Sequence, residues 1–142
     1  WLWYKNYKTG INLMKKKYLI VVADYYKDIA EGLIKSALKI IPNKNIIKII
    51  KVPGAFEIPV TISKNIKKFD AFLALGCVIK GQTPHFDFIS QASTNAIMDI
   101  SVSQKKPVGN GIITCLNMKQ AKARKSKGAE AATAVISILF QK

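Results

Sequence analysis

The chain has 142 residues, of which 49% are hydrophobic and 22% are charged. This length and balance predict one globular domain and exclude an intrinsically disordered chain. The formal net charge of +15 suggests an anionic partner. However, the lysines are spread over every segment, and arginine, which nucleic-acid-binding proteins use heavily, occurs once. The charge therefore favours anionic substrates over nucleic acid.

Residues 1–13 precede Met14, which would make a natural start. Lysines 15–17 and the apolar run 18–23 imitate a secretory signal, but that run is shorter than a signal core and no cleavage site follows. No apolar run approaches transmembrane length, so we expect no membrane insertion. The sequence thus predicts an N-terminal extension outside the fold over residues 1–13 and one domain over residues 14–142.

The cysteines Cys77 and Cys115 each end an apolar run, and we expect both to be buried free thiols. There is no Cys-x-x-Cys spacing, only one histidine, and no cluster of acidic residues, so the sequence predicts no metal site. Free thiols are typical of a reducing compartment. We therefore expect the protein in the cytoplasm.

Strands and helices alternate along the chain after Met14, as the spacing of apolar residues indicates. Apolar residues at helical spacing predict the first helix, and Pro42-Asn43 ends it. In chain order the predicted elements are a strand at 18–23, a helix over Ile29–Ile41, a strand at 46–52, a helix at 57–67, a strand at 71–79, a helix at 84–104, a strand at 108–116 broken by Gly109 and Gly111, and helices at 118–125 and 129–140.

This alternation predicts an α/β fold, a three-layer α/β/α sandwich with a four-stranded parallel sheet of the flavodoxin-like kind. In such sheets ligands bind outside the carboxyl ends of the strands. That rule selects the segments 24–26, 53–57, 80–87 and 116–117 as candidate binding positions.

The segment 80–87, Lys-Gly-Gln-Thr-Pro-His-Phe-Asp, follows the third predicted strand. Thr83 suits the N-cap of a helix and Pro84 its first position. The backbone N–H groups of 81–83 would then form an anion site at the positive helix end, and phosphate is the obvious occupant. His85 would lie beside it. An ordinary capped helix with a surface histidine is the alternative.

The segment 52–59, Val-Pro-Gly-Ala-Phe-Glu-Ile-Pro, follows the second predicted strand and carries a carboxylate, Glu57. Gly54 permits close approach of a ligand to the backbone. Glu57 could accept hydrogen bonds from the hydroxyls of a polyol. Alternatively, it is an acidic residue at a helix start that complements the helix dipole.

The single histidine and the single arginine are candidates for catalysis on a phosphorylated substrate. The planar guanidinium of Arg124 can bind a phosphate through two parallel hydrogen bonds, whereas lysine is a point charge. The imidazole of His85 suits proton transfer near neutral pH. Alternatively, Arg124 occupies a solvated helix face by chance.

Together, the segments 52–59, 76–87, 111–124 and 127–132 resemble the 6,7-dimethyl-8-ribityllumazine synthase family, in register from about Met14 to Leu139. The resemblance implies condensation of 5-amino-6-ribitylaminouracil with 3,4-dihydroxy-2-butanone 4-phosphate, which releases phosphate and water in the penultimate step of riboflavin biosynthesis. The family uses no metal and no organic cofactor. Its chemistry consists mostly of proton transfers between two oriented substrates.

The resemblance also implies a role for each site residue. His85 is the acid–base residue of catalysis. The residues that it assigns to the phosphate are Gly81, Gln82, Thr83, Arg124 and Lys127. The residues that it assigns to the pyrimidine and ribityl groups are Tyr25, Ala55, Phe56, Glu57, Val78, Ile79, Lys80 and Asn110.

Three positions depart from the family pattern. Asn110 stands where many members carry Phe, so ring stacking from that side is lost or replaced by a hydrogen bond. Tyr25 replaces the more usual Phe or Trp and keeps an aromatic face. The stretch 124–128 is shorter than the family's glycine-containing linker, which leaves the assignment of Lys127 to the phosphate loose.

The resemblance implies a homo-oligomer whose active site lies between neighbouring subunits of a pentamer. Some members stack twelve pentamers into a 60-subunit shell, and the altered linker favours a free pentamer here. Two other functions stay open at this point. One is a non-catalytic relative that binds flavin or lumazine, and the other is a basic protein that binds nucleic acid.

Overall fold

Four parallel strands form the centre of the computed structural model, which describes residues 15–42 and 45–141. Their order in the sheet is β2-β1-β3-β4, and every neighbouring pair is parallel. This arrangement confirms the predicted four-stranded parallel sheet. The strands are β1 (Lys17–Ala23), β2 (Ile46–Val52), β3 (Ala71–Ile79) and β4 (Val108–Cys115).

Helices cover both faces of the sheet, and this confirms the three-layer sandwich. The helices are α1 (Lys27–Leu38), α2 (Ile58–Lys64), α3 (His85–Gln104), α4 (Met118–Ala123) and α5 (Lys127–Leu139), with a 3-10 turn at Ala55–Glu57. Alternate residues of β1 serve the two layers, because side chains alternate across a strand. Ile20 packs with α1 and α5, whereas Leu19 packs with α2 and α3. Burial on both faces explains why β1 is apolar throughout.

Several element boundaries differ from the sequence predictions. The first helix ends at Leu38, although Ile41 is still buried. The second ends at Lys64, because Asn65 leaves the helical conformation. The fourth strand is continuous through Gly109 and Gly111, so the predicted break is wrong. Both glycines keep their ladder positions opposite β3.

Two helix starts also differ by one or two residues. Pro84 is the N-cap of α3 and His85 its first residue, one position later than predicted. Lys127 and Gly128 belong to the first turn of α5 and do not separate the last two helices. The positively charged side chain of Lys127 is therefore carried by a helix.

Close packing between α5 and the sheet explains the glycine at position 109. A Cβ there would overlap the carbonyl oxygen of Ala131 and the side chain of Val135, both on α5. The helix backbone therefore lies directly against β4 at this point. Gly109 has no positive φ, so the requirement concerns space and not backbone conformation.

No helix within the described part of the chain is both long and apolar enough to cross a membrane. The predicted extension, residues 1–13, lies outside the described residues, and its boundary stays a prediction.

Replacement of Gly109 by Ala should destabilise the fold by about 1–3 kcal/mol, because the new methyl group overpacks a contact with helix backbone. Chemical denaturation should show this as a lower midpoint at an unchanged slope. Gly81→Ala is the matched control, since no atom lies within 4 Å of the position that its Cβ would take. Equal midpoints for the two variants would contradict the packing explanation.

Candidate functional site

Two pockets lie near the sheet, and they share no lining residue. The first, called the histidine pocket, has a volume of about 280 Å³ and lies at the carboxyl ends of the strands. This is the position that the parallel sheet predicts for a ligand. Its lining residues are Tyr25, Tyr26, Gly54, Ala55, Cys77, Val78, Ile79, His85 and Ile89.

His85 occupies the mouth of this pocket, where α3 begins. Its side chain is exposed, and its backbone N–H lies 3.4 Å from Thr83 Oγ1. An exposed imidazole beside a cavity can exchange protons both with a bound ligand and with solvent. The geometry therefore suits general acid–base chemistry on a ligand in the pocket.

Two tyrosines after β1 supply the aromatic wall of the histidine pocket. The Tyr25 ring is 75% exposed, and it meets the Tyr26 ring edge-on at a centroid distance of 4.9 Å. Desolvation by burial, and then the neighbouring Tyr25 and Cys77, raise the pKa of Tyr26. Tyr26 therefore stays a neutral phenol, while Tyr25 offers a free face for a planar ligand.

The 3-10 turn after β2 carries three predicted site residues, and only one of them lines the pocket. Ala55 does so, and its carbonyl accepts a hydrogen bond from the buried Ser93 Oγ at 3.4 Å. Phe56 is 67% exposed and points away from the core. The Glu57 carboxylate lies near Gly54, 3.8 Å from the position that a Cβ would take there. Glu57 thus sits at the rim, where a polar chain leaving the pocket would pass.

Cys77 forms part of the inner wall of the histidine pocket. Burial, and then the neighbouring Cys115, raise the pKa of the Cys77 thiol to about 12. Both cysteines are buried free thiols, as predicted. Cys77 is therefore protonated at neutral pH and contributes as an apolar wall and not as a nucleophile.

The second pocket, called the arginine pocket, has a volume of about 660 Å³ and lies along the edge strand β4. Its polar groups come from β4, from the turn after α4 and from α5, so one surface brings together both cations that the resemblance assigns to the phosphate. Its lining residues are Asn110, Ile112, Ile113, Thr114, Ala123, Arg124, Ser126, Lys127 and Glu130.

Arg124 is held at the end of α4 by hydrogen bonds at both ends of that helix. At the start, Asn117 Oδ1 accepts from the Gln120 N–H at 2.9 Å, while Gln120 Oε1 accepts from the Leu116 N–H at 2.8 Å. The arrangement resembles a capping box, except that the Gln120 side chain bonds the N–H of Leu116, one residue before the N-cap Asn117. At the end, Arg124 Nη1 donates to the Thr114 carbonyl at 3.2 Å. One edge of the guanidinium is thus fixed to β4.

Lys127 and Glu130 form an ion pair of 3.7 Å at the rim of the arginine pocket. Both side chains are largely exposed, so the pair contributes little to stability. Phosphate, which carries more negative charge than a carboxylate, could therefore replace Glu130 as the partner of Lys127 at little cost in free energy.

The side chain of Asn110 is bonded within its own strand. Its Oδ1 accepts from the Ile112 N–H at 3.0 Å, within the same strand. The bond engages a backbone donor of an edge strand, a group that is otherwise free to pair with another chain. Asn110 lines the arginine pocket without offering a ring for stacking.

The structure separates the residues that the sequence predicted to bind phosphate. Gly81, Gln82 and Thr83 are exposed on the loop between β3 and α3, beside His85, as is Lys80, which the resemblance assigns to the pyrimidine and ribityl groups. Arg124 and Lys127 line the arginine pocket instead. A single copy of the chain therefore does not bring the histidine and the arginine into one pocket.

Sequence reasoning placed Tyr26 in the candidate segment 24–26 but gave it no role, and it gave none to the other lining residues Cys77, Ile89, Ser126 and Glu130. Tyr26 had a signal, since it directly follows Tyr25 at the same strand end. Glu130 had one as well, at helical spacing from Lys127. Among the residues that the structure describes, no group of three His, Cys, Asp or Glu side chains could hold a metal ion.

Comparisons with known proteins agree with the resemblance. A family model described as 6,7-dimethyl-8-ribityllumazine synthase matches residues 15–142. The chain is 42% identical over 141 residues to a protein of that name from Methylorubrum populi, covering 90% of this chain and 83% of the relative. A relative of the same name from Agrobacterium fabrum is 39% identical over 140 residues, covering 89% and 95%. Another from Paenarthrobacter aurescens is 38% identical over 130 residues, covering 85% and 81%.

Proposed function

Because this chain belongs to the 6,7-dimethyl-8-ribityllumazine synthase family, we propose that its two pockets are the two halves of that enzyme's active site. The enzyme is a transferase of riboflavin biosynthesis, which condenses 5-amino-6-ribitylaminouracil with 3,4-dihydroxy-2-butanone 4-phosphate. The observation that carries the proposal is the position of the chain's single imidazole at the mouth of an aromatic-walled pocket.

The histidine pocket takes the pyrimidine in this proposal. The exposed Tyr25 ring stacks on the planar ring, with Val78 and Ile79 as the opposite apolar wall. The ribityl chain leaves past the rim, where Glu57 accepts hydrogen bonds from its hydroxyls. The backbone of Ala55 and Phe56 supplies further polar contacts.

His85 transfers protons between the two substrates during the reaction. Imine formation, phosphate elimination and ring closure each need a proton donor or acceptor. The proposed role is supported by the exposed position of His85 beside the pocket and by the absence of a second imidazole in the sequence.

The arginine pocket takes the phosphate of the second substrate. Arg124 is anchored to Thr114 through Nη1, which leaves the rest of its fork for phosphate oxygens. Lys127 adds a second positive charge when it exchanges Glu130 for the phosphate. The loop 81–83 brings backbone N–H groups from the histidine side, whereas the Lys80 N–H is already bonded to the Cys115 carbonyl.

A homopentamer, with each site shared by two neighbouring subunits, would join the two kinds of pocket. The separation of His85 from Arg124 within one copy supports a shared site. So does α3, which exposes Phe88, Met98 and Val102, all between 60% and 69%, along one stripe. Apolar stripes of this kind mark protein interfaces. A free pentamer is proposed over a 60-subunit shell.

The cytoplasm is the proposed location, because the buried free thiols Cys77 and Cys115 suit a reducing compartment. No observation favours the non-catalytic relative or the nucleic-acid-binding protein.

The direct test of the proposed function is to mix the purified protein with both substrates and to follow lumazine absorbance and fluorescence. Product above the uncatalysed background supports the enzyme, and its absence from folded oligomer contradicts it.

His85→Ala should lower kcat by about 10- to 100-fold, because the variant lacks the proton-transfer group in the transition state. The KM values of both substrates should change little, since the imidazole is not assigned to binding. Steady-state kinetics with each substrate varied in turn measure both quantities. An unchanged kcat would remove His85 from the proposed mechanism.

Arg124→Lys should raise the KM for the butanone phosphate by about 5- to 20-fold, because lysine keeps the charge but loses the bidentate fork. The KM for the ribitylaminouracil should stay close to that of the parent protein. Lys122→Arg, an exchange on the same helix outside the pocket, is the control and should leave both values unchanged. If Arg124→Lys also leaves both values unchanged, the assigned phosphate role is wrong.

A further inference from the structure

We infer that Ser36 is a positioning residue for the phosphate end of the site, because its hydroxyl ties both sides of the turn 124–128 to α1. The inference rests on the proposed function, since it is the phosphate role of Arg124 and Lys127 that gives this turn a part in binding. Ser36 itself does not line the arginine pocket.

The hydroxyl of Ser36 makes one hydrogen bond to each side of the turn. Ser36 Oγ lies 2.8 Å from the carbonyl oxygen of Lys125, to which it donates. It also accepts from the backbone N–H of Ala129 at 3.1 Å. A serine hydroxyl has one proton, and the Lys125 oxygen is nearer than its other acceptor, the Leu33 oxygen at 3.0 Å. One side chain on α1 is thus bonded to the chain before and after Lys127.

Close backbone contact accompanies these bonds. A Cβ at Gly128 would overlap the carbonyl oxygen of Leu33, so the first turn of α5 lies directly on α1. The aliphatic part of Lys125 covers Gly32 one helical turn earlier. The turn therefore rests on a surface of α1 in which Ser36 supplies the directional contacts.

The turn has its own internal bonds, which set its shape but not its place. The Lys127 N–H donates to Arg124 O at 3.1 Å, and the Ala129 N–H also donates to Ser126 O at 3.0 Å. These bonds would survive the loss of Ser36. The contacts to α1 fix the backbone of the turn relative to the rest of the molecule, in addition to the side-chain bond from Arg124 to β4.

The position of the turn matters because it carries both cations assigned to the phosphate. Arg124 precedes the Lys125 carbonyl by one residue, and Lys127 lies between the two groups that Ser36 holds. Bidentate binding of phosphate by a guanidinium tolerates small errors in position poorly. A turn that moves away from α1 would weaken phosphate binding without changing the histidine pocket.

Ser36→Ala tests the inference, because it removes the hydroxyl and keeps the helix. Ser137→Ala is the matched control: Ser137 is also helical, and its hydroxyl donates to Ala134 O at 2.7 Å within α5. For both variants we would measure kcat, the KM of each substrate and the inhibition constant of inorganic phosphate. The denaturation midpoint would verify that each variant is folded.

The expected result for Ser36→Ala is a KM for the butanone phosphate raised about three- to tenfold, because two part-buried hydrogen bonds to the turn are lost and even one typical hydrogen bond has a net effect of that order. The inhibition constant of inorganic phosphate should rise by the same factor. The KM for the ribitylaminouracil should change by less than about twofold. Ser137→Ala should match the parent protein in all of these values.

Two results would overturn the inference, and only the second would also overturn the proposed function. If the parent protein forms lumazine but Ser36→Ala changes neither KM, or changes both equally, Ser36 is not a positioning residue and the proposed function stands. If the parent protein forms no lumazine, the proposed function falls and this inference falls with it.

Discussion

The close approach of α5 to both β4 and α1 is the constraint on which the arginine pocket depends. Glycine is needed at position 109 because α5 backbone lies against the strand, and at position 128 because it lies against α1. Side chains at either place would push the helix outward. Arg124 and Lys127 lie on the turn that leads into α5. The distance of α5 from the sheet and from α1 therefore determines the positions of the two cationic side chains.

The same packing keeps apart the two pockets that we propose to be half-sites. The carboxyl ends of β1 and β3 form the histidine pocket, while the outer edge of β4 forms the arginine pocket. The histidine pocket has an imidazole and aromatic rings, and the arginine pocket has a guanidinium and an ammonium group. Each pocket therefore carries groups that the other lacks. A neighbouring copy is the simplest source of the missing half, since homo-oligomers with cyclic symmetry bring unlike surfaces of the same chain together.

The fold could be predicted from sequence to within a few residues, and the site only in part. Apolar runs place all four strands, and the signal is continuous in β1 and β3, which are buried on both faces. The predicted break in the fourth strand was wrong. Positions 109 and 111 have glycine because α5 and Leu75 pack too closely there for a side chain. The local sequence does not show these contacts. Tyr26 and Glu130 were given no role from sequence, because the direction of a side chain in the folded chain decides whether it lines a pocket. The bond from Asn110 to its own strand also needed coordinates.

Mixing two impaired variants tests the shared site most directly. His85→Ala and Arg124→Ala subunits, whose residual activities alone set the baseline, would be unfolded together, reassembled and assayed for lumazine formation. If each site takes its histidine from one subunit and its arginine from the next, about one quarter of the sites in a random mixture regain both groups. Activity near one quarter of that of the parent protein is therefore the predicted result. A mixture as inactive as its components, in oligomers shown to contain both variants, would place both residues in a single subunit's site and contradict the shared arrangement.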